Sequence, residues 1–231
     1  VLIREGDQRT ASIDLRLAAL LSAVAGALNA TGFEVAGLFS ANMTGNVSAL
    51  ADNVAGGRWD LALLFVVVIV VFVCGALTAG LCIELGRRRQ VRGIYAWVIL
   101  AEGAVLLALG VAGVAGSSLV IGVRLICVLS FTLGLQNAVT TRISAARVRT
   151  THVSGMATDV GLALAGLWVR SDKTAQHRAQ LALHGITIAS FLVGGIVGAL
   201  IHVAFGALTF LLCGLPLAFA ALCEVLRGHR R

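Results

Sequence analysis

Residues 61–83, LALLFVVVIVVFVCGALTAGLCI, run from Asp60 to Glu84 without one Asp, Glu, Lys, Arg or His. About 20 apolar residues at a rise of ~1.5 Å cross the hydrocarbon core of a bilayer, so this segment reads as a membrane-spanning helix. A second stretch, between Arg178 and Glu224, holds 45 residues with no formal charge when His184 and His202 are neutral. That is enough for two spans joined by a tight turn. A soluble domain carries about a quarter of its residues charged; here 13% are charged and 58% hydrophobic, which excludes a water-soluble globule. A transmembrane barrel needs alternating segments of ~10 residues, whereas these apolar runs are continuous. The fold class is therefore all-α, a polytopic helical membrane protein.

Spans are expected near 13–38, 61–83, 94–115, 118–141, 181–202 and 206–226. Two further stretches, 43–56 and 153–169, are too apolar for ordinary loops. Cytoplasmic segments carry the excess of Lys and Arg, and 16 of the 18 cations fall on one side of this arrangement, with Arg58 and Arg124 left toward the other. Both termini, with Arg4 and Arg9 at one and Arg230 and Arg231 at the other, are accordingly expected in the cytoplasm. The pI near 10.1 then follows from loops facing anionic lipid, and no nucleic-acid partner is implied. The N-terminal segment is polar and mixed in charge, so the first span is expected to direct insertion in place of a cleaved signal.

Residues 13–30, IDLRLAALLSAVAGALNA, match residues 121–138, IGVRLICVLSFTLGLQNA, at eight of eighteen positions without a gap. Leu and Ala can coincide by composition; Arg16/Arg124, Ser22/Ser130, Gly26/Gly134 and Asn29/Asn137 in one register cannot easily do so. After a two-residue slip, Asn42-Met43-Thr44-Gly45 stands opposite His152-Val153-Ser154-Gly155, and FVCGALTAGL (72–81) resembles FLVGGIVGAL (191–200). The chain thus divides into a tail (1–12), two three-span repeats (13–115 and 116–226) and a basic tail (227–231). Three is odd, so the second copy lies upside down relative to the first, with broken or re-entrant short helices after spans 1 and 4. Inverted repeats of this kind are typical of secondary transporters, whose solute sits near the midplane between the repeats. They also occur in channels and in proteins that merely arose by duplication.

Ser22, Gly26 and Asn29 lie at i, i+4 and i+7, one stripe of a helix, and Ser130, Gly134 and Asn137 repeat it. Polar groups in lipid face the bundle interior, where they either line a site or hydrogen-bond across a helix seam for ~1 kcal/mol. Thr44, Gly45 and Asn46, and Ser154 and Gly155, each open a short apolar stretch after a span. Their free backbone groups either line a wet cavity or start a surface helix through an ordinary N-cap. The candidate solute-binding set is Asn29, Thr44, Gly45, Asn46, Gln136, Asn137, Ser154 and Gly155.

Glu102, eight residues into span 3, is a carboxylate in an otherwise charge-free helix, either a proton carrier, one partner of an ion pair with Arg16 or Arg124, or a side chain that snorkels to the interface. Arg124, His152 and Asp159 are secondary candidates; helix-dipole stabilisation is a sufficient reason for Asp159. The five cysteines fall inside apolar runs without metal-ligand spacing and read as core-filling residues. No nucleophile and base arrangement stands out, so an enzyme, a metal site and a cofactor are not expected.

With Asn42-Met43-Thr44-Gly45-Asn46 in one half, and Gly134-Leu135-Gln136-Asn137-Ala138 and Arg149-Thr150-Thr151-His152-Val153-Ser154-Gly155 in the other, nearly the whole chain resembles the YoaK-like family. These are small bacterial inner-membrane proteins of uncharacterised function. Members often carry His before the Met, where this chain has Asn42, so no histidine role transfers there. The resemblance implies a multi-pass protein of the bacterial inner membrane and supplies no substrate. The leading expectation is a secondary transporter or facilitator of a small solute; the alternative is a membrane scaffold that binds a partner. Membrane lipids, one small solute and, as an option, a second copy of the chain are the expected partners.

Overall fold

The computed structural model describes Leu2, Glu5 and residues 9–229, so Arg4, Arg230 and Arg231 lie outside the described residues. Among the described residues eight α-helices follow in order: α1 (Ala11–Ala36), α2 (Met43–Ala55), α3 (Trp59–Arg88), α4 (Ile94–Val114), α5 (Gly122–Ile143), α6 (Val153–Trp168), α7 (Thr174–Phe205) and α8 (Leu208–His229). Six of them, all but α2 and α6, are long and apolar enough to cross a membrane, and no strand occurs among the described residues. The protein is an all-helical, multi-pass integral membrane protein. Both short apolar stretches expected between spans are helices, α2 and α6.

Three spans differ by four residues or more at an end from the hydropathy reading, the second because α3 runs on through Glu84 and the arginines to Arg88 instead of stopping at 83. The fourth starts at Gly122 instead of 118, because Ser118–Val120 forms a 3-10 turn closed by Ser117, and Gly122 takes a φ of 58°. The fifth starts at Thr174 instead of 181, since TAQHRAQ continues the same helix in polar residues. At 32 residues α7 is about 48 Å long, more than the ~30 Å of hydrocarbon.

Long apolar side chains cover the outward faces of α3 and α7, among them Val70, Val73 and Leu77 on α3 and Leu192, Ile196 and Leu200 on α7. Such a band is stable against lipid and not against water. Trp59 at the start of α3 and Trp168 at the end of α6 are both exposed, as interfacial tryptophans are.

Inside, three helix pairs make the bulk of the packing: α1 with α7, α3 with α5, and α4 with α8. The first two are glycine seams. A Cβ on Gly26 of α1 would overlap the carbonyl oxygen of Phe191 on α7, and one on Gly194 would overlap that of Ala23. In the other seam, Gly134 of α5 abuts the carbonyl of Phe72 on α3, and Gly75 abuts that of Phe131. Small residues let backbones approach where lipid offers no hydrophobic force between helices. Helix α2 folds back on α3 and α6 on α7, and α4 and α8 close the bundle.

One end of the bundle gathers ion pairs. Asp14, buried at the start of α1, meets Arg9 at 2.5 Å and Arg147 at 2.9 Å, while Glu84 at the end of α3 meets Arg142 at 3.4 Å and Arg88 at 3.5 Å. The segment before α1, the end of α3, the end of α5 and the start of the loop before α6 therefore come together at one end.

Candidate functional site

The loop after α1 turns back on itself. Gly37, at φ 67°, ends the helix with its N–H on the Phe33 carbonyl, and the chain returns until the Ala41 N–H donates to Asn29 Oδ1 at 2.9 Å. Asn29 is seven residues before the last residue of α1, about 10 Å along the helix, so α2 begins well below the end of α1. Asn42 caps α2 by accepting from the Gly45 N–H at 3.1 Å. Asn46 Nδ2 donates to the Phe39 carbonyl at 3.0 Å, and Phe33 and Phe39 stack at 4.5 Å, which fixes the loop from its other side.

The loop after α5 does the same with different atoms. Asn137 Nδ2 donates to Thr151 Oγ1 at 2.6 Å, and the Thr150 hydroxyl donates to Asn137 Oδ1 at 3.4 Å. Gln136, fully buried, donates through Nε2 to the Leu21 carbonyl on α1 at 2.9 Å. The Gly45 and Gly155 positions are tight: a Cβ would overlap Asn42 in the first and lie 2.5 Å from the His152 ring in the second.

Both loops open onto one cavity of about 810 Å³. Asn29, Asn137, Thr44, Gly45, Ser154 and His152 of the expected set line it. Gly155 and Asp159 line instead an adjoining cavity of about 430 Å³, where Asp159 lies 3.5 Å from His184. Arg149 and His152 line both and stand between them. Gln136 and Asn46 are buried ties outside either lining. Arg124 reaches Ser118 at 2.6 Å in the connection before α5. Glu102 is buried, faces neither cavity, and its carboxyl oxygens take no hydrogen bond among the described residues. Its neighbour Gly103 packs against Ala218 of α8.

Residues not singled out from sequence complete the wall. Phe72 and Phe191, the opening residues of the two similar segments, both line the cavity; their register in the repeat was the available signal. Arg149, which opens the second motif segment but is not in the candidate set, is the sole formal charge among the described lining residues. Its guanidinium makes no hydrogen bond or ion pair with the described residues. The wall is thus donor-rich near the two helix starts and aromatic around Phe39, Phe72 and Phe191.

The sequence model of a family described as "Protein of unknown function (DUF1275)" matches residues 17–223. No curated protein and no solved structure matches the chain.

Proposed function

Given that the chain belongs to the DUF1275 family, we propose that it is a small secondary transporter or facilitator whose solute binds in the cavity between two inverted repeats. The YoaK-like resemblance of its two motif segments is in keeping with that family. The observation that carries the proposal is the convergence of both motif loops and both repeat asparagines on one cavity of about 810 Å³.

Reciprocal contacts support the inverted repeat. Exchanging the two halves exchanges Gly26 on Phe191 with Gly134 on Phe72, and Gly194 on Ala23 with Gly75 on Phe131. It also exchanges the Asn29 tie to Ala41 with the Asn137 tie to Thr151. In this reading α2 and α6 are re-entrant, each starting inside the membrane and ending at opposite surfaces. Irregular backbone at that depth is tolerated where it is buried or lines a water-filled cavity, and transporters place their sites at such broken helices. The cation-rich end is then cytoplasmic, in the bacterial inner membrane. Glu102 remains the candidate proton carrier, buried in α4 away from the cavity lining.

A scaffold reading has its own support: Ser22, Ser130 and Gln136 are fully buried and outside the cavity lining, as seam residues would be. A thermal-shift screen of small solutes on the purified protein separates the two. In the transport reading at least one solute stabilises the wild type, and Asn29→Ala and Asn137→Ala abolish that shift while the apo proteins stay folded, since each lost tie costs only about 1 kcal/mol. Failure of both variants to fold, with no solute ever stabilising the wild type, favours the scaffold.

A further inference from the structure

We infer that the cavity takes a small organic anion, a carboxylate carried on an apolar body, an inference that rests on the transport-site reading. Asn29 is more than nine-tenths buried yet lines the cavity. The Ala41 N–H fixes its Oδ1 as the acceptor, so the Nδ2 is the atom left for the cavity, and it donates to no protein group among the described residues. On the opposite wall Thr151 Oγ1 already accepts from Asn137, which leaves its hydroxyl hydrogen to donate.

The backbone adds to this. Met43, Thr44, Val153 and Ser154 hold the first two positions of α2 and α6 and line the cavity, and their N–H groups have no partner among the described residues. Two helix starts therefore bring their positive ends to one space. Arg149 supplies the one full charge of the described lining, and no carboxylate joins it there. The nearest acidic side chain in the adjoining cavity, Asp159, is engaged by His184. A cation in this space would meet donors and an arginine; a carboxylate would meet complementary groups on every polar wall. Phe39, Phe72 and Phe191 supply the aromatic part of the wall and suit an apolar body, for which a bare inorganic ion has no use.

Benzoate, benzamide and benzylammonium differ in charge at nearly constant shape, and titrating each into the protein in lipid nanodiscs, with empty nanodiscs subtracted, tests the inference. Benzoate should bind at least about tenfold more tightly than benzamide, the size of one charge-assisted hydrogen bond, and benzylammonium should not bind. Arg149→Gln should weaken benzoate about tenfold and leave benzamide unchanged, with Arg149→Lys restoring most of the loss. Asn29→Asp keeps the acceptor for Ala41 while replacing the free donor by a carboxylate, and should abolish benzoate binding. Benzamide or benzylammonium binding as tightly as benzoate overturns the anion assignment while leaving the cavity a solute site. Benzoate binding untouched by Arg149→Gln and Asn29→Asp overturns the location. No binding by any of the three overturns the inference, and the site reading falls with it only if the wider solute screen is also blank.

Discussion

At Gly26 and Gly134 the smallest possible change, one methyl group, would drive a Cβ into a neighbouring carbonyl oxygen. Backbone cannot rotate away as a side chain can, so Gly26→Ala and Gly134→Ala should each cost about 1–3 kcal/mol. The expected readout is a lowered thermal midpoint in detergent for both, and none for Gly80→Ala, whose Cβ would meet nothing within 4 Å. Equal effects at Gly80 and Gly26 would remove the seam as the explanation. The repeat marks both seam glycines and both asparagines, because identical residues at a fixed offset are visible without coordinates. It does not separate their roles: the i, i+4, i+7 stripe divides into a buried serine, a seam glycine and a cavity asparagine only when α7 or α3 is packed against it. Gln136 reads from sequence as a solute contact and lies instead outside the cavity lining, because its partner, the Leu21 carbonyl, is 115 residues away in sequence.

Among the elements, α2 and α6 decide whether the cavity exists, and they begin differently. Asn42 caps α2 through its side chain, whereas His152 makes no side-chain cap to α6. Asn42→Ala should therefore lower stability by about 1 kcal/mol, and His152→Asn should raise it by up to a similar amount by giving α6 the bond its counterpart has. Thermal denaturation of the two variants in one detergent checks both signs; destabilisation by His152→Asn would mean that its ring, close over Gly155, is worth more than a cap. Both short helices were legible as apolar stretches of nearly the right length, because Gly56 and the Thr44 and Ser154 segments bound them in sequence. The start of α7 was not, because hydropathy reports where a helix crosses hydrocarbon and is silent about polar turns, such as Thr174–Gln180, that extend beyond it.

For the whole molecule, the ion pairs at Asp14 and Glu84 gather the ends of α1, α3 and α5 and the loop before α6, so the two faces of the bundle are chemically distinct. An inverted repeat makes a demand on those faces that a parallel repeat does not: equivalent elements must finish on opposite sides. Helix α2 ends at Ala55 and α6 at Trp168, and the residues just beyond them, Gly57 and Arg170, are both exposed. Single cysteines at these two positions, in a chain whose five native cysteines have been replaced, should react from different compartments with a membrane-impermeant maleimide. Gly57→Cys is expected to label from the periplasm, together with Ser117→Cys in the connection before α5. Arg170→Cys is expected to label only after the membrane is opened, together with Arg88→Cys at the end of α3. Labelling of Gly57→Cys and Arg170→Cys from the same side would require the halves to be parallel and would dissolve the shared midplane site. The opposite assignment of all four would keep the inversion and reverse the orientation, placing the cation-rich end outside against the expected bias.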